Sequence, residues 1–531
     1  MPKSRGLVIV TVVALIAISI VLRCWHVDRP QDYMFDEVYY AKDAQTIVDG
    51  RVGPNAKKSS WEPGDEVSWP HPEAGKFAIA LGILLAGDRP VGWRLACVVA
   101  GVVLLCCIYP LARRLGLPRP WALAALLMAA ADPLNLLQSR IATLDVFVAM
   151  WTVVCILFAL RYAQERRSLW LLMSGLAGGL ALATKWSGAL ALVAAAAMVL
   201  LAPRLAGRAP EGDAPATAEE KRRPEPPSLT DDPPPDGEAG GRASSWRALA
   251  GGALLAFVCL VAVPLVVYLL SYSQYFLSGH TWPDWRELQR QMWIFNLHLS
   301  APHSYASAPV TWIADYRPVW YFFLDTKGMY EGVVAMGNPF LWWTGMAALV
   351  AVPIACFRRR CSGGALLTAL LVAILYLPWM AATRTSFLYY MAPVAPMLAI
   401  LVAQALWHMS GAEAAPKRPA WRRLVPLAAG FVLAAFLWYP IGGVCETLFW
   451  QLPGRLGHGV ALAASVTAGG LALAGVLVLL TRTRRPDVRS AVSWLWTGAI
   501  TGIFVAFLPI LIASPIPADE FYRLIWFPSW I

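Results

Sequence analysis

Apolar positions along this chain follow neither a helical nor a strand period; they come in long unbroken runs separated by short polar breaks. Residues 7–22 form one such run, and 471–480 with its apolar lead-in forms another. A run of about 20 apolar residues spans the roughly 30 Å hydrocarbon core of a bilayer as a helix, the form that satisfies its own backbone there. The pattern predicts an all-α polytopic membrane protein with about 11–13 transmembrane helices.

Composition agrees: of 531 residues, 58% are hydrophobic and 15% charged, too little polar material to cover a soluble core of this size. The net charge of +11 does not indicate a nucleic-acid partner. The basic residues cluster between apolar runs, at 113–119, 161–167, 204–247, 358–360, 417–423 and 482–489. About 13 spans put all six clusters on one side, which the positive-inside rule makes the cytoplasm. The first helix then reads as an uncleaved anchor with a cytoplasmic N-terminus in the plasma membrane, because no small-residue cleavage site follows it. Cys97, Cys106, Cys107, Cys155 and Cys259 lie inside apolar runs and read as small hydrophobes.

Residues 203–245, rich in Pro, Gly and charge, read as a disordered cytoplasmic linker between an N-terminal bundle (1–202) and a C-terminal one (246–531). The same orientation places two long polar segments outside, 24–75 and 272–336. Loops of that length in compact proteins usually carry function. The second holds Trp282, Trp285, Trp293, Trp312 and Trp320, suited to a membrane interface or to stacking on a sugar ring. No internal repeat is evident, so the inverted-repeat pattern of many transporters finds no support.

The candidate chemistry gathers at the outer ends of the runs. Asp36 and Glu37 are adjacent carboxylates flanked by Tyr33, Phe35, Tyr39 and Tyr40. A solvated loop pair would have this spelling too, but the aromatic flank favours a packed site, where desolvation raises a carboxylate pKa into the range of a general base. Lys76, in HPEAGK with His71, is either an interface-snorkelling lysine or a cation beside a lipid phosphate. Arg94, Arg140, Asp145 and Lys185 are ionisable groups at membrane depth, which usually face a polar cavity. Arginine forks suit a phosphate. The seven histidines have no metal-binding spacing, and nothing calls for a divalent metal or another cofactor.

Taken in order, FDEVYY (35–40), HPEAGK (71–76), GWRL (92–95), SRIATLD (139–145), TKWSG (184–188), HSYASAPVTW (303–312), RPVWYF (317–322), MGNPFLWW (336–343), FLYYMAPVAPM (387–397) and FYRLIWFPSWI (521–531) resemble the bacterial protein O-mannosyltransferases. The resemblance implies a C-type glycosyltransferase fold with its site on outer-face loops. It implies transfer of mannose from polyprenyl-phosphate-mannose to Ser or Thr hydroxyls of secreted or membrane proteins, with inversion and with the lipid-linked sugar as co-substrate. Asp36 would be the base and Glu37 would orient acceptor or donor; Arg94, Arg140, Lys76 and Lys185 would hold the phosphate, with His71 and Asp145 nearby. Coupling to the protein-export machinery is a further expectation. Three features depart from the family: Glu73 where relatives often have proline, a long linker after Pro203, and an added pair of spans between about 424 and 480. A same-fold transferase of another sugar or onto a glycolipid, and a lipid-linked sugar transporter, remain as alternatives.

Overall fold

A computed structural model describes residues 2–50, 69–205, 251–357, 362–411, 421–445 and 485–531, with a few isolated positions between 475 and 483. Most of the expected linker and most of the added pair of spans lie outside these residues.

Among the described residues nine helices are long and apolar enough to cross a membrane. They are α1 (Gly6–Cys24), α4 (Pro90–Arg114), α7 (Asp145–Glu165), α9 (Trp186–Leu205), α10 (Gly251–Ser271), α12 (Pro339–Phe357), α13 (Gly363–Ala381), α15 (Trp421–Gly443) and α16 (Pro486–Leu511). Shorter apolar helices α5 (Arg119–Ala130), α8 (Ser168–Thr184) and α14 (Ala395–Met409) run between the same two ends. The bundle is built around α7, which packs on α4, α8 and α9. At the periphery α1 leaves Leu7, Ile9, Val10 and Val13 more than half exposed, the all-round apolar surface that suits lipid contact. Close approach of α8 and α10 depends on glycine: a Cβ at Gly175 would stand 1.7 Å from the carbonyl oxygen of Cys259.

The described basic residues Arg114, Arg161 and Arg489 share one end. Arg114 and Arg161 both meet Glu165, at 2.5 and 3.0 Å, Gln404 donates to the Leu115 carbonyl, and Arg489 donates to that of Met409. The polar segments occupy the other end. The first contains α2 (Glu37–Val48) and leads to α3 (Ala74–Ala86), which at 13 residues is too short to cross and turns through Gly87 (φ +84°) straight into α4. Exposed Leu81, Leu84 and Leu85 give α3 an apolar outer face. The second segment contains α11 (Trp282–His298), started by a Thr281–Asp284 capping box.

The all-helical expectation gains one exception here, a three-stranded antiparallel sheet in the order β1 (Val319–Thr326), β2 (Met329–Ala335), β3 (Ile516–Pro517). Lys327 and Gly328, both at positive φ, make the tight turn between β1 and β2. After β3 the chain forms α17 (Ala518–Leu524) and a tail that packs beneath the sheet. Arg317 donates to the carbonyls of Ser529 and Ile531, and Trp320 Nε1 donates to that of Trp530. The sheet is thereby fixed to the end of the bundle where the ionisable residues converge.

Candidate active site

Glu37, the first residue of α2, is fully buried and accepts four hydrogen bonds. Arg94 Nε and Nη2 reach its two oxygens at 2.8 and 2.7 Å, and the backbone N–H groups of Ala142 and Met34 add 2.8 and 3.1 Å. Arg94 also gives Nη1 to the carbonyls of Val27 and Pro30, at 2.8 and 2.9 Å. Its fork is therefore spent on Glu37 and on the loop between α1 and α2. The two residues form a clamp that ties this loop to α4 and to the segment before α7.

The other expected phosphate cations divide in the same way. Arg140, buried before α7, donates to the carbonyls of Leu22, Arg23 and His26, capping the end of α1. Lys76 is wholly buried, 2.8 Å from Glu73 and 3.7 Å from Asp43. Glu73, where relatives often carry proline, thus neutralises the lysine one turn on. Lys185, in the break between α8 and α9, lies 3.0 Å from Asp145 at the start of α7 and stacks its ammonium 4.8 Å from the Tyr390 ring. Burial alone would lower the Lys185 pKa, but Asp145, Tyr390 and Asp36 outweigh it and hold it above its ordinary value.

Asp36, the N-cap of α2, makes no side-chain cap bond, and its carboxylate has no hydrogen-bond partner among the described residues. Burial raises its pKa to about 7, with Lys185 pulling it down and Asp145 pushing it up. A carboxylate half ionised near neutrality and facing a fixed cation is equipped to accept a proton. Tyr40, Tyr321 and Tyr389 all lie close enough to feel its charge.

His71 stands beside Tyr40, with ring centroids 6.2 Å apart. Burial, then the nearby charges of Lys185, Arg384 and Lys76, hold its pKa well below the usual histidine value, so the ring is neutral at pH 7. Arg384, which the sequence reading does not single out, lies near His71, whose pKa it lowers. It is partly exposed, bonds Asn296 Oδ1 at 2.6 Å and the Tyr390 hydroxyl at 3.3 Å, and has no carboxylate partner among the described residues. Its one sequence signal is its place: a lone arginine three residues before FLYYMAPVAPM. Arg384 and Lys185 both contact Tyr390, the first through its hydroxyl and the second over its ring.

Two family models match the chain. "Dolichyl-phosphate-mannose-protein mannosyltransferase" covers residues 70–210, and "C-terminal four TMM region of protein-O-mannosyltransferase" covers 281–441. Neither interval includes Asp36. A polyprenol-phosphate-mannose–protein mannosyltransferase of Mycolicibacterium smegmatis is 24% identical over 73% of this chain and 79% of its own length. One of Mycobacterium tuberculosis is 23% identical over 83% and 88%. Among solved structures, the S. cerevisiae protein O-mannosyltransferase Pmt1-Pmt2 complex bound to the sugar donor superposes with a TM-score of 0.63 at 11% identity, over 99% of this chain and 92% of that one. ArnT from Cupriavidus metallidurans bound to undecaprenyl phosphate gives 0.52 at 16% identity, over 96% and 78%. The fold is that of the C-type glycosyltransferases.

Proposed function

We propose that this chain, a member of the protein O-mannosyltransferase family, transfers mannose from polyprenyl-phosphate-mannose to Ser or Thr hydroxyls of proteins, using Asp36 as the base. The observation that carries the reading is the Asp36 carboxylate, without a hydrogen-bond partner among the described residues and set close to the buried Lys185–Asp145 pair. The acceptor hydroxyl gives its proton to Asp36 as its oxygen attacks the anomeric carbon. The bond from that carbon to the phosphate oxygen breaks on the opposite face, inverting the configuration. The departing phosphate needs positive charge and no strong acid. Lys185, held in place by Asp145, and Arg384, held by Asn296, supply it. His71, neutral and close to both cations, is left to hydrogen-bond phosphate or sugar. The mechanism uses no metal ion.

The described basic residues at the opposite end of the bundle, Arg114, Arg161 and Arg489 among them, support an extracytoplasmic site, by the same charge asymmetry that orients membrane proteins generally. Acceptors would then be exported chains, met as or after they cross the membrane. The test is reconstitution of the purified protein in liposomes with polyprenyl-phosphate-mannose and a Ser/Thr-rich peptide. Mannosylated peptide with inverted anomeric configuration is expected. Transfer to a glycolipid but not to peptide, or activity with a different lipid-linked sugar alone, would overturn the assignment.

A further inference from the structure

The pairing of β1 with β2 contains one irregularity: Trp320 lies opposite Val334 and Phe322 opposite Val333, which leaves Tyr321 as an extra residue between them. Such bulges bend a strand and redirect one side chain, and they are common beside active sites. Here the redirected ring is buried and stacks on Phe35, with centroids 4.1 Å apart and planes within 6°. Gln138 Nε2 donates to the Tyr321 hydroxyl at 3.0 Å, and Thr143 Oγ1 donates to Gln138 Oε1 at 2.6 Å, so the ring is fixed at its far edge as well. Phe35 has φ +48°, a left-handed conformation that an aromatic residue keeps only when its surroundings impose it. The next residue is Asp36, whose carboxylate has no hydrogen-bond partner among the described residues.

We propose that Tyr321 is the positioning residue for the base: aimed by the bulge and held by Gln138, its ring braces Phe35 in the left-handed conformation and so sets the direction of the Asp36 carboxylate. The sheet thereby contributes to catalysis without touching substrate. The proposal rests on the reading of Asp36 as the base. Charged and titratable groups facing Asp36 are Lys185 and Asp145 from the bundle, Tyr40 from α2, Tyr321 from β1, and Tyr389 from the segment before α14.

The experiment measures kcat and donor KM across pH for the full chain in liposomes, comparing Tyr321→Phe, Tyr321→Ala, Phe35→Ala and Asp36→Asn. Tyr321→Phe keeps the stack and should keep the wild-type pH profile. Tyr321→Ala and Phe35→Ala should lower kcat roughly 10–100-fold with donor KM unchanged, the scale of a misplaced catalytic group. They should also move the acidic limb of the kcat profile to lower pH, because water admitted beside Asp36 relieves the burial that raises its pKa. A merely structural contact would reduce activity equally at every pH and leave the limb in place, which overturns the proposal. Should Tyr321→Ala not fold, Phe35→Leu, which keeps most of the apolar bulk and loses the flat ring, carries the same prediction. Full activity in Asp36→Asn would refute the base itself, whereas an inactive Asp36→Asn beside an unshifted Tyr321→Ala would refute the positioning alone.

Discussion

Replacing Glu37 by Gln separates the two roles that Arg94 could have. The change keeps shape and volume but removes the charge that compensates Arg94, and both side chains are fully shielded from solvent. An amide has one acceptor oxygen where the carboxylate has two. The four donors now converging on Glu37 would meet one acceptor and one opposing NH2 group. Removing one partner of a buried ion pair costs about 3–5 kcal/mol, because the remaining charge is left unpaired. We therefore expect Glu37→Gln to lower the thermal unfolding temperature in detergent substantially, with reduced kcat and unchanged donor KM in the folded fraction. Arg94→Met alone should be similarly harmful. The Glu37→Leu/Arg94→Met pair should destabilise less than the sum of its single changes, since neither charge is then stranded. A stable Arg94→Met protein whose one defect is a raised donor KM would refute the clamp and restore Arg94 as a phosphate ligand.

Wild-type kcat/KM should rise with pH through about 7, as Asp36 loses its proton, and Lys185→Met should move that limb upward, because Lys185 pulls the Asp36 pKa down; a pH–rate profile in liposomes reads both. Arg384→Gln should raise donor KM roughly 10–100-fold, the equivalent of one charge-assisted hydrogen bond of about 1.5–3 kcal/mol, with partial rescue by Arg384→Lys in steady-state assays. Gly175→Ala should force α8 and α10 apart at a cost of about 1–3 kcal/mol, seen as a lower unfolding temperature with little change in the pH profile of the folded protein. For orientation, Val310→Cys in a Cys24→Ser background should react with a membrane-impermeant maleimide applied to intact cells, Val310 being two-thirds exposed at the site end.

Much of this molecule is legible in its sequence because membrane burial demands long apolar runs, and the spans could be read from those alone. The identity of the buried ionisable residues was also readable, since a charge at membrane depth is costly enough to stand out. Their partners were not: Glu37 and Arg94 are 57 positions apart, and nothing local says whether a buried arginine faces a carboxylate, a helix end or a ligand. Arg94, Arg140 and Lys76 were for this reason expected on a phosphate, while the structure pairs them with Glu37, with the carbonyls ending α1, and with Glu73. Arg384 escaped notice because a single arginine at the end of an apolar run reads as an interface anchor. The strands escaped because VWYFFLDT and MYEGVVA are short, and their aromatic residues suit a membrane interface as well as a pleated sheet.

Single-turnover transfer by Asp36→Asn, measured with donor already bound and a Ser/Thr-rich peptide added, tests the central claim most directly. Loss of 10²–10⁴ in rate with donor affinity unchanged is the predicted result, the usual contribution of a positioned base. Transfer at the wild-type rate from a bound donor would contradict it.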